Sequence, residues 1–107
     1  MKCNLAKPLK VLHKENGQQI ILRGGKTVNE RYRFLFRQKW DNVYHFDIYR
    51  VTNGGMGTLV GTALVNSTEK ICEMETWIAD ENAVKELKEA VLKETEKLGK
   101  LFYKFFN

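Results

Sequence analysis

Residues 31–50 (RYRFLFRQKWDNVYHFDIYR) constrain this chain more than any other stretch. Tyr32, Phe34, Phe36 and Trp40 fall at even positions, while Arg31, Arg33, Arg37 and Lys39 occupy odd ones, with Leu35 among them. Successive side chains of a strand point to opposite faces, so a strand over 31–39 acquires an aromatic core face and a cationic outer face. Asp41-Asn42 marks a turn. Tyr44, Phe46 and Ile48 continue the apolar face on a strand over 43–51, which leaves His45, Asp47 and Tyr49 on the cationic side. Apposing the two apolar rows requires an even register sum, which a three-residue loop around Asp41 and Asn42 would supply. That register sets Arg33 or Arg37 near Asp47 or His45.

Alternation extends on both sides of this hairpin. Strands are expected near 9–14 and 18–23, joined at Glu15-Asn16-Gly17-Gln18, because Asn-Gly supplies the positive φ of a tight turn. Residues 24–30 and 52–57 are expected as loops. Residues 58–66 are apolar on both sides, as an interior strand would be. Asn66-Ser67-Thr68-Glu69 reads as a polar turn, although it formally matches a glycosylation sequon. Over 70–79, Cys72, Met74 and Ile78 alternate with Glu73, Glu75 and Trp77.

At Asp80 the period changes. Asp80 is a good N-cap, and Glu81 suits the first turn of a helix. Val84, Leu87, Val91, Leu98, Leu101 or Phe102, and Phe105 then form one helical stripe. Glu81–Lys85, Glu89–Lys93 and Glu96–Lys100 are spaced for surface ion pairs on the opposite face. Gly99 is a position where the helix could stop or bend. The expected fold is α+β: an antiparallel β-meander of about six strands with one long C-terminal amphipathic helix packed across one face. Residues 1–107 form a single domain, with Tyr32, Phe34, Phe36, Phe46, Ile48, Val84, Leu87 and Val91 in its core.

Charge is unevenly distributed. Residues 1–50 hold eleven Lys and Arg against four Asp and Glu, whereas residues 51–107 hold seven against nine. The first half therefore attracts anions. Hydropathy excludes a membrane span of ~18 apolar residues and shows no secretory leader, so a cytoplasmic protein with reduced thiols at Cys3 and Cys72 is expected.

Catalytic signatures fail one by one. Arg23-Gly24-Gly25-Lys26-Thr27 resembles the end of a phosphate-binding loop, but Ile20 stands where its first glycine belongs. His13, His45, Cys3 and Cys72 lack metal-ligand spacing. Ser67 is the sole serine and lies in a turn. His45, Asp47 and Tyr49 beside Arg33 and Arg37 could serve a small nuclease, yet mixed polar residues also occupy any exposed strand face.

No enzyme, cofactor or metal is therefore expected, and no membrane partner. The expected function is binding of an anionic macromolecule through Arg31, Arg33, Arg37, Lys39, His45 and Tyr49, with nucleic acid favoured. The alternative is a protein-interaction or inhibitor module that meets an acidic protein surface. Phe102, Tyr103, Phe105 and Phe106 are expected either to plug the end of the sheet or to form a partner or homodimer interface. At the level of topology alone, a curled sheet followed by one helix is similar to PUR-type single-strand binders and to PH-like modules. That resemblance implies nucleic-acid or protein binding and carries no site residue over.

Overall fold

The computed structural model describes the backbone of residues 8–13, 19–23, 26–28, 31–52 and 55–106, and the side chains of 28, 31–51 and 57–105. The fold is α+β, an antiparallel sheet followed by one helix. Strands β1 (Pro8–His13) and β2 (Gln19–Arg23) form a two-stranded ladder of their own, with Val11 opposite Ile21. Strands β3 (Lys26–Val28), β4 (Tyr32–Trp40), β5 (Val43–Thr52), β6 (Gly55–Asn66) and β7 (Ile71–Thr76) make a five-stranded sheet in chain order. A single meander of six strands therefore does not form. The expected loop over 24–30 contains β3, which returns along β4 with Val28 opposite Tyr32 and Thr27 opposite Arg33. Likewise β6 starts inside the expected 52–57 loop, where Gly57 takes φ 76°. Such a conformation suits glycine.

The β4–β5 hairpin keeps the even register sum by another route. Phe34 lies opposite Ile48 and Phe36 opposite Phe46, but Trp40 lies opposite Val43 across a two-residue turn in which Asp41 has φ 54°. A β-bulge between Phe36 and Gln38 absorbs the odd residue, Arg37. Beyond a bulge the faces exchange. Trp40, expected among the core aromatics, is consequently 44% exposed on the other face. Lys39, expected in the cationic stripe, pairs opposite Tyr44 on the helix-facing side. Its Nζ lies 5.7 Å from the Tyr44 ring centre and donates to the Asp41 carbonyl.

A second bulge, at Val60, does the same for β6: Ile48 pairs with Gly61, and Tyr49 pairs with Leu59. The Val60 carbonyl accepts the Trp77 amide at 3.0 Å and the Thr76 hydroxyl at 2.8 Å, so its polar group stays satisfied. Val60 thereby turns inward, and Leu59 turns outward to 43% exposure.

Helix α1 (Glu81–Phe106) starts as its cap dictates. Asp80 Oδ1 accepts the amides of Asn82 and Ala83 at 3.0 and 3.2 Å. Ala83, Leu87, Val91, Leu98, Phe102 and Phe105 are buried with Tyr32, Phe34, Phe36, Tyr44, Phe46 and Ile48 of the sheet. Of the residues expected in the core, Tyr32, Phe34, Phe36, Phe46, Ile48, Leu87 and Val91 belong to this cluster, Val84 lies at its edge and Trp40 lies outside it. The helix continues through Gly99 without stopping, because the stripe beyond it still has sheet to cover. Phe102 packs on Phe36 and Tyr44 with ring centres 5.9 and 6.1 Å apart. At ~1.5 Å per residue the helix is about 39 Å long. Among the described residues, no helix is long and apolar enough to cross a membrane.

Candidate functional site

Pairing across β4, β5, β6 and β7 lays the face away from the helix out in rows. One row runs Trp40, Val43, Asn66, Ile71, and the next Gln38, His45, Leu64, Glu73. A third runs Leu35, Asp47, Thr62, Glu75, and a fourth Arg33, Tyr49, Leu59. Cations stand on the β4 side and carboxylates on the β7 side. Between and around them Trp40, Leu59, Leu64 and Ile71 are 41–51% exposed, and Trp77, just past β7, is 79% exposed. A hollow of about 610 Å³ opens at Leu59, Thr62, Glu75 and Trp77.

The cationic stripe is smaller than its residue list. Arg31 is exposed, whereas Arg33 is half-buried with its Nε buried and unpartnered. Arg37 Nε lies 3.1 Å from Asp47 Oδ2, and His45 Nε2 lies 3.5 Å from Asp47 Oδ1. Asp47 thus offsets charge in the middle of the patch. His45 also meets Trp40 edge-on, with ring centres 6.3 Å apart. Tyr49 shares the face but sits four residues along β5 from His45, roughly 13 Å at strand rise. These two cannot act on the same atom. Lys39 is on the other face altogether.

The C-terminal aromatics divide as well. Phe102 and Phe105 are core, at 9% and 7% exposure, and so are not available as an interface. Tyr103 is 71% exposed. The side chains of His13 and Phe106, along with Cys3 and Gly24-Gly25, lie outside the described residues. Cys72 is a free, half-buried thiol; burial pushes it up, Lys88 opposes that rise, and Glu73 adds to it. Among the described residues no group of three metal-ligating side chains exists.

Residues 66–70 are a tightly bonded polar turn. Asn66 Oδ1 accepts the amides of Thr68 and Glu69 at 3.0 Å each and the Asn42 side-chain amide at 3.2 Å. Ser67 donates its hydroxyl to the Asn42 carbonyl. Alternation over 70–79 had already set Glu73 and Glu75 opposite Cys72 and Met74, but neither was named as a site residue, and the outward leucines of β6 were missed. The signal for the leucines was present in the two-sided apolarity of 58–66, which looked like burial on both faces. Only one face of the sheet carries the helix. Compared with known protein families, curated proteins and solved structures, the chain has no match.

Proposed function

We propose that this chain is a non-enzymatic binding module that engages a protein partner through the far face of its sheet. The observation that carries the proposal is the exposed set Trp40, Leu59, Leu64, Ile71 and Trp77, framed by Arg31 and Arg37 on one side and Glu73 and Glu75 on the other. Exposed apolar residues that share one face with charged neighbours suit a protein-binding surface. Cations and carboxylates three strands apart are separated by about 14 Å, which fixes the orientation of a partner with the opposite pattern. A polyanion spread over the same face would meet Glu73 and Glu75, so its phosphates would gain at β4 and lose at β7.

A second reading has its own support. Exposed Arg31, just before β4, and half-exposed Arg37 within it suit a single nucleic-acid strand lying along that strand alone. One experiment separates the two. A photo-crosslinking residue is placed at Leu64, and a control at Lys93 on the exposed helix surface, in cells expressing the chain. A protein partner predicts one discrete adduct at position 64, absent at 93 and lost with Leu59→Asp. The nucleic-acid reading predicts no such adduct. It predicts instead oligonucleotide affinity that falls steeply with salt and disappears in Arg31→Glu with Arg37→Glu.

A further inference from the structure

The buried stripe of α1 loses its bulk in one place. Between Val91 and Phe102 it keeps Leu98 but also passes Thr95, the one buried polar residue among the described residues, and Gly99. A cleft of about 540 Å³ opens there between the helix and the sheet end carrying Tyr44 and Val65. Larger apolar side chains at 95 and 99 would fill it, as protein interiors normally are. A Cβ on Gly99 would already come within 3.5 Å of Tyr44 Oη. The cleft is thus made by residue choice at two positions and is not imposed by the fold. Its volume falls within the ~300–1,000 Å³ of small-molecule sites.

Its lining selects a charge. Val65 and Leu92 provide apolar wall, and the exposed residues Lys70, Glu96 and Lys100, two cationic and one anionic, complete the lining. Thr95 donates its hydroxyl to the Val91 carbonyl at 2.9 Å, and Ser67 donates to Asn42, so neither proton is available to a ligand. The remaining side-chain donors are the two ammonium groups and the Tyr44 phenol. Burial pushes the phenol up, which keeps its proton in place.

We infer that this cleft binds a small amphiphilic monoanion, its apolar body against Val65 and Leu92 and its carboxylate between Lys70 and Lys100. Glu96 disfavours a second negative charge on the ligand. The probes are octanoate, octan-1-ol and octanedioate, each titrated into the full chain and followed by backbone amide shifts. Octanoate should saturate, moving the amides of Leu92, Thr95 and Gly99, and should bind at least ten-fold more tightly than either comparison compound. Gly99→Leu, or Thr95→Leu should the first not fold, fills the cleft and should abolish those shifts. Lys70→Gln with Lys100→Gln should remove the preference for octanoate over octanol. Equal binding of octanol, absence of saturation, or shifts centred on Leu59 and Leu64 would each overturn the inference.

Discussion

Gly61 and Gly99 both face the interior between sheet and helix, yet their surroundings give opposite expectations for alanine. A Cβ at Gly61 would lie 2.6 Å from the Glu75 carbonyl oxygen and 2.8 Å from Thr76 Cβ. Those atoms belong to the paired strand, so relief requires β7 to move. Gly61→Ala is expected to cost about 1–3 kcal/mol, the range of overpacked sites. At Gly99 the nearest contact is an ordinary 3.5 Å to a phenol oxygen, and the site is helix interior. Gly99→Ala should stabilise by up to about 1 kcal/mol. In a domain of this size each kcal/mol moves Tm by roughly 4–8 °C, so melting curves of the two variants should bracket the parent. If Gly61→Ala melted with the parent, the close approach of β6 and β7 would be refuted.

Among the elements, β4 depends on one surplus residue. Deleting Arg37 removes the bulge while leaving Phe36 opposite Phe46 and Trp40 opposite Val43, in an unbroken ladder with the same two-residue turn. The faces of Gln38, Lys39 and Trp40 are then retained. A one-residue deletion inside a strand ordinarily sends side chains to the wrong face. Here the variant should fold, with Tm lower by a few degrees for the lost Arg37–Asp47 pair, and cross-strand NOEs should report the regular register. An unfolded product would mean that the bulge itself is required. The last turns of α1 carry a different expectation. Removing residues 100–107 takes Phe102 and Phe105 out of the core, so the truncated chain should lose several kcal/mol, in line with about 3–5 for one buried Phe. Unchanged urea stability in the truncated protein would show that these rings pack elsewhere.

For the whole molecule, alkaline pH tests the packing of the inner face. Burial raises the Cys72 thiol above its ordinary 9.0 and the Tyr44 phenol above its ordinary 10.0. The folded chain therefore holds these protons after the unfolded chain has released them. Stability is unaffected well below pH 9 and falls as pH rises through the ordinary thiol and then phenol values. Urea midpoints measured from pH 7 to 11 should decline, and less steeply in a Cys72→Ala, Tyr44→Phe double variant. A flat profile in the parent would place both groups in water.

What lay in the sequence was local and periodic. Alternation specified β1, β2, β4, β5 and β7 and the aromatic core face as far as Phe36, Asp80 capped the helix, and the spacing of Leu87, Val91 and Leu98 chose the face it buries. The parity that core pairing demands was legible too, as was the approach of Arg33 or Arg37 to Asp47 or His45; that the pair is Arg37 with Asp47 was decided by the fold. How that parity is met was not. A three-residue loop and a two-residue turn with a bulge satisfy it equally, and only the bulge puts Lys39, still exposed, on the helix-facing side and Trp40 on the other. The loop at 24–30 hid β3 because a three-residue strand has too few alternations to register a period. Two-sided apolarity in β6 looked like burial on both faces, since a sequence records which side chains are apolar and not how many layers cover them. The helix covers one face; on the other Leu35 is buried, whereas Leu59, Leu64 and the charges of their neighbours face solvent.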